Sequence, residues 1–314
     1  MLTVKDVADF LKKNDNYRIL CHQNPDGDTI GSAFALASAL SKIGKNAHIC
    51  CSDVFSPQYS YMTGEEHINE DLPFDTLITV DIAAEGLIGK KYEHLSDKVD
   101  LLIDHHYSNT LYAKNCYVNS DSASNCENIY DIVIELGVEI DKHIADCIYT
   151  GITTDTGCFR YSSVNHRTHT VACEVIKAGA DHANINKIMF ETKSLARINI
   201  ERMALNSLQM YYDNRLAIIF VTQDMIKKSG AREDELEGIA SIPREIEGVY
   251  VGVLCREKPD GSIRVSLRTT EQVDAAEIAK CFQGGGHKRA AGCTINDTVA
   301  NARDRIVEAV GKVL

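Results

Sequence analysis

Four short segments of this chain end apolar runs in acids and imidazoles. Leu101-Leu102-Ile103 runs into Asp104-His105-His106, Ile19-Leu20-Cys21 into His22 and then Asp26-Gly27-Asp28, and Leu77-Ile78-Thr79-Val80 into Asp81. A fourth segment, Gly151-Ile152-Thr153-Thr154-Asp155-Thr156-Gly157, adds a further acid. An apolar run that stops at a polar tip reads as a core strand delivering side chains to the edge of a sheet. Each acid alone has a plainer explanation: an Asx turn and a helix cap for Asp26 and Asp28, a turn former for Asp81 and for Asp155. Their joint occurrence with His22, His105 and His106 is what a two-metal hydrolytic centre requires. Such mixed carboxylate and imidazole donors suit Mn²⁺, with Mg²⁺, Co²⁺ or Fe²⁺ as alternatives. Asp104 either ligates or stands behind an imidazole and fixes its tautomer, and the second arrangement is expected.

A second group lies far along the chain. Gly284-Gly285-Gly286-His287 is costly in chain entropy, so a close approach of backbone to a ligand is a better explanation than a flexible loop. Its N–H groups could form an anion-binding concavity, with Arg268 as a phosphate clamp. Lys288 and Arg289 either add local positive charge or are simply solvated.

The elements that must position these residues alternate. Helices are expected over 1–13, 29–43 (capped by Asp28 and ended by Gly44), 125–136, 142–150 and 167–178. Strands are expected over 17–22, 47–51, 76–80 and 99–103. That order predicts a parallel α/β sheet with helices on both faces. A long helix over 194–211 reads as a connector. Beyond it come strands over 216–221, 249–255 and 263–267, a helix over 275–282, irregular chain at 284–287 and a last helix over 299–310. The second unit is thus a smaller α/β domain with a mixed sheet. The expected boundaries are 1–190, a connector at 191–212, and 213–314.

The chain has 314 residues, 25% charged and 44% hydrophobic, the balance of an ordinary globular protein. No stretch has the length or apolarity of a membrane span or a secretory leader. Eleven Cys without a Cys-x-x-Cys pair read as free buried thiols in a reducing cytoplasm. The net charge of −12 sits almost wholly in residues 1–209, whose balance is −11. A protein that coats duplex DNA would be basic, so the charge favours small nucleotides over long nucleic acid.

The set His22-x-x-x-Asp26-x-Asp28, Val80-Asp81, Asp104-His105-His106 and Thr154-Asp155-Thr156-Gly157 resembles the DHH phosphoesterase superfamily. Ser266-Leu267-Arg268 and the run Gly284 to Gly292 resemble its DHH-associated C-terminal domain, with Gln283 standing where the nanoRNase and pAp phosphatase branch usually has a glycine. The resemblance spans nearly the whole chain. It implies two divalent ions, Mn²⁺ foremost: one held by His22, Asp26 and Asp81, the other by Asp28, Asp81, His105 and Asp155. It places His106 near the scissile phosphate or leaving group. Arg268, Gly284, Gly285, Gly286 and His287 would hold the substrate, in a cleft between the domains. The implied substrates are short oligoribonucleotides (about two to five nucleotides), pAp, and linear products such as pApA or pGpG. The same resemblance is compatible with a homodimer. A manganese-dependent pyrophosphatase is disfavoured because no Ser-Arg-Lys element is present. A RecJ-type exonuclease would add an oligonucleotide-binding module, and a non-catalytic nucleotide sensor would have lost a ligand.

Overall fold

The computed structural model describes residues 1–63, 68, 72–236 and 238–314, which divide into two units, Met1–Thr192 and Lys193–Leu314. The elements of the first are α1 (Val4–Lys13), β1 (Tyr17–Leu20), α2 (Gly27–Lys42), β2 (Ala47–Cys50), β3 (Thr76–Val80), β4 (Leu101–Asp104), β5 (Asn115–Val118), α3 (Asn125–Glu135), α4 (Lys142–Asp155), α5 (His166–Lys177) and α6 (His182–Asn186). The five strands form one parallel sheet in the order β2-β1-β3-β4-β5. Strand alternation sorts the core. Ile19, Ile49, Ile78, Leu101 and Ile103 pack with the α-helices on one face, while Leu20, Cys50 and Leu77 pack on the other with Tyr92, Leu95 and Val99 of a segment of 3₁₀ turns. The chain leaves β1 to β2 on one side and reaches β3 on the other. This strand-order switch opens a crevice at the carboxyl ends of β1 and β3, where ligands bind in such sheets.

α2 is buried along nearly its whole length, because its Gly, Ala and Ser residues let it lie between the sheet and α4. Its cap is Asp26, whose side chain accepts from the N–H groups of Asp28 and Thr29, and not Asp28 as expected. That releases the Asp28 side chain to face inward. α4 also runs further than expected, through Gly151 to Asp155, since packing against α2 outweighs the poor helix propensity of Gly and Thr.

The second unit contains α7 (Leu195–Asn206), β6 (Gln209–Tyr211), β7 (Leu216–Val221), α8 (Gln223–Ser229), β8 (Val251–Glu257), β9 (Ile263–Thr269), α9 (Ala275–Lys280), β10 (Gly285–His287), β11 (Ala290–Ile295) and α10 (Val299–Gly311). Its mixed sheet has the order β10-β11-β9-β8-β7-β6. The helix expected over 194–211 therefore stops at Asn206, and Gln209–Tyr211 pairs with β7 as an edge strand. α7 buries Ile200 and Ala204 against Ile219, Val221 and Leu254 of this sheet. The chain expected to be irregular at 284–287 forms β10 and pairs with β11. Among the described residues no helix is long and apolar enough to cross a membrane.

Candidate active site

β1, β3 and β4 end side by side, and each delivers its polar tip to the same edge. His22 lies two residues beyond β1, Asp81 directly follows β3, and Asp104 closes β4 with His105 and His106 behind it. α2 contributes Asp26 at its cap and Asp28 in its first turn, and α4 contributes Asp155 as its last residue. The fold thus gathers every metal-ligand candidate named from the sequence. Ligand atoms of His22, Asp26 and Asp81 lie within 4.8 Å of one another, as do those of Asp28, His105 and Asp155.

Asp81 sits between the two groups. Its Oδ2 lies 3.8 Å from His22 Nε2, and its Oδ1 lies 3.5 Å from His105 Nε2 and from His106 Nδ1. Its backbone is left-handed, with φ +60°, a conformation Asp tolerates at a cost of order 1 kcal/mol. The surrounding structure holds it there. Thr29 Oγ1 donates to the carbonyl of Val80, and Asn109 Nδ2 and Tyr112 OH both donate to the carbonyl of Ile82. The Asp81 N–H itself donates to Ile103.

The imidazoles are oriented from behind. His22 Nδ1 donates to the Gln23 carbonyl at 2.9 Å, and His105 Nδ1 to the Ser122 carbonyl at 3.1 Å. A carbonyl only accepts, so the proton sits on Nδ1 and each Nε2 turns toward carboxylates. His105 Nε2 has Asp81 and Asp155 at 3.5 Å and Asp28 at 3.8 Å. With the ring neutral, each Nε2 would turn a lone pair on those carboxylates, a repulsion that a cation between them would remove. His105 Nε2 and Asp81 Oδ1 are both buried without a hydrogen-bond partner, so the residues present fit divalent ions.

The acids carry the strain of this assembly. Burial pushes Asp81 well above the usual carboxylate range, reinforced by the charges of Asp28, Asp26, Asp104 and Asp155. Burial, and then the charge of Asp26, raises Asp28 to about 7, although the N–H groups of Asn125 and Cys126 at the start of α3 donate to its two oxygens. Asp155 rises to about 7 through burial and the charge of Asp28. Asp104 is the exception. Burial raises it, but His106 and then Asn109 outweigh that and hold it below the usual range. It accepts from His106 Nδ1 at 2.8 Å and from Asn109 Nδ2 at 2.5 Å.

Sequence reasoning missed this supporting layer. Asn109 ties Asp104 to Ile82, and Asn128 donates to the Asp104 carbonyl while accepting from Ser122, whose own carbonyl receives His105. An amide five residues beyond Asp104 in a loop was a signal for Asn109; Ser122 and Asn128 offered none.

In the second unit, His287 on β10 pairs with Ala290 on β11, which pairs with Arg268 on β9. Cross-strand partners share a face, so His287 and Arg268 project together, about 10 Å apart. Arg268 Nη1 donates to the Leu267 carbonyl, and Arg289 to the carbonyls of Thr270 and Val273. Two of the three glycines answer to packing. A Cβ at Gly284 would lie 2.3 Å from the Gly292 oxygen, and one at Gly286, whose φ is +141°, 2.6 Å from the Ala290 oxygen. Gly285 faces open space. Gln283 has φ +58°, which explains why a glycine would suit its position.

Residues 16–152 match the profile of the DHH family, N-terminal domain, and residues 213–314 that of the DHHA1 domain. The chain is similar to the bifunctional oligoribonuclease and PAP phosphatase NrnA of Thermus thermophilus, at 31% identity over 98% of this chain and 93% of that one. The protein of the same name from Bacillus subtilis is 26% identical over 87% of each. Among solved structures, an exopolyphosphatase-related protein from Bacteroides fragilis superposes with a TM-score of 0.90 at 25% identity, covering 98% of this chain and 95% of that one.

Proposed function

Because the chain belongs to the DHH phosphoesterase family, we propose that it is a two-metal enzyme hydrolysing short oligoribonucleotides to mononucleotides and pAp to AMP. The observation that carries this reading is the divided carboxylate of Asp81, one oxygen facing His22 and the other facing His105. His22, Asp26 and Asp81 would hold one divalent ion and Asp28, Asp81, His105 and Asp155 the other, with Mn²⁺ the ion their mixed donors suit. Bound there, two cations supply Lewis-acid polarisation of the phosphoryl group and acidify the attacking water.

The chain's own residues do the rest. His106, half-exposed beside the acids, has its Nδ1 on Asp104, which leaves Nε2 to hand a proton to the departing oxygen. The Asp104 charge makes that ring a better proton carrier. Arg268, Gly285 and His287 would hold a phosphate of the substrate, Gly284 and Gly286 shaping the hairpin that presents them. The acidic first unit offers long polyanions no basic track, which favours a substrate of a few nucleotides. We place the enzyme in the cytoplasm, a reducing compartment that suits eleven cysteines with no Cys-x-x-Cys pair.

The test is a substrate panel with Mn²⁺: RNAs of roughly two, five and twenty nucleotides, pAp and pyrophosphate. Release of mononucleotides fastest from the two shortest, with AMP from pAp, is expected. Preference for pyrophosphate or for the long strand would contradict the reading.

A further inference from the structure

α2 and α4 pack closely, and glycines set how closely. A Cβ on Gly27 of α2 would come 2.4 Å from Thr154 Oγ1, and one on Gly31 would come 2.4 Å from the Cys147 carbonyl oxygen. On α4, a Cβ on Gly151 would lie 2.2 Å from Cys126 Sγ and 2.6 Å from Asp28 Oδ1. Gly151 lies inside a helix, where glycine costs about 1 kcal/mol relative to alanine, so it needs a steric reason.

We propose that Gly151 is a positioning residue: the side chain it lacks is the space in which the Asp28 carboxylate is held. This rests on the reading of Asp28 as a metal ligand. Asp28 is fully buried and has little room to give way. Its Oδ2 accepts from Asn125 N–H at 2.6 Å and its Oδ1 from Cys126 N–H at 2.9 Å. The same Oδ2 faces the unpartnered Nε2 of His105. A methyl at residue 151 would push Oδ1 off the Cys126 N–H and rotate Oδ2 away from His105 and Asp155. The atoms nearest this methyl belong to Cys126 and Asp28, so the His22, Asp26 and Asp81 group is expected to keep its geometry.

Two variants separate carboxylate placement from general overpacking. Gly151→Ala introduces the methyl. Gly151→Ala combined with Cys126→Gly removes the sulfur and Cβ that the methyl would also meet, leaving Asp28 as its main obstacle. Mn²⁺ alone is titrated into the wild type and both variants, and unfolding of each metal-free protein is followed by circular dichroism. In both variants one of two Mn²⁺ ions is expected to bind about 10- to 100-fold more weakly, the other to be retained, and unfolding to stay cooperative. Two tightly bound ions in Gly151→Ala, or recovery of the second ion in the double variant, would overturn the inference while leaving the two-metal reading intact. So would failure of both variants to fold, because the methyl would then disrupt the helix interface as a whole. A wild type that binds fewer than two ions would overturn the reading itself and the inference with it.

Discussion

His106 Nδ1 lies 2.8 Å from Asp104 Oδ1, whereas the neighbouring His105 turns its Nδ1 to a backbone carbonyl and its Nε2 into the acids. Adjacent imidazoles thus have different anchors, and the proposed reading gives them different tasks. His105→Ala is expected to lose one metal ion. His106→Ala should keep both ions and lose turnover, and Asp104→Asn should keep both with kcat lowered about 10- to 100-fold. Metal analysis beside kcat measurement checks this. A metal-depleted His106→Ala protein would exchange the two roles.

Asn109 joins two strand tips through one amide, donating to Asp104 Oδ2 and to the Ile82 carbonyl. Asn109→Ala should cost about 1–3 kcal/mol of stability, the usual penalty for leaving a buried acceptor (here Asp104 Oδ2) unsatisfied, and should lower kcat more than it changes KM. Tyr112→Phe removes a donor to Ile82 without touching Asp104, so it should lose stability with little effect on kcat. Equal kcat losses in the two variants would refute the distinction.

Metal-free protein should be sensitive to pH. The folded pKa values of Asp28 and Asp155, about 7, exceed the ordinary carboxylate value, so the folded state favours the protonated acids. Stability from these groups is present below the unfolded pKa of about 4 and is lost as pH rises toward 7. Chemical denaturation of the metal-free protein should therefore give a lower midpoint at pH 7.5 than at about pH 5, and Mn²⁺ should restore it. A midpoint that rises over this range would contradict the account.

Arg268 and His287 share one row of the second sheet and belong to none of the clusters of acids and imidazoles that could hold a metal. Arg268→Ala is expected to raise KM for dinucleotides about tenfold or more while leaving metal content unchanged. Unchanged kinetics would return Arg268 to an ordinary surface arginine.

How much of this was legible follows from range. Strand tips could be read because apolar runs end at His22, Asp81 and Asp104, a local pattern that the parallel sheet turns into proximity. The helix expected over 142–150 stops short of Gly151 to Asp155, where glycine and threonine disfavour helix, yet burial against α2 carries α4 through them. β10 could not be read, since Gly285 and Gly286 have no side-chain pattern and pair only because β11 lies alongside. Asn109, five residues beyond Asp104, left a local trace, whereas Ser122 and Asn128 act through contacts with strand ends that no local spacing encodes.

The central claim is that Asp81 serves two cations at once. Anomalous diffraction from crystals soaked in Mn²⁺ tests it directly. Two peaks are expected about 3.5–4 Å apart, one beside His22 and Asp26, the other beside Asp28, His105 and Asp155, with the Asp81 carboxylate between them. A single peak, or two peaks of which one lies beyond the reach of Asp81, would contradict the claim.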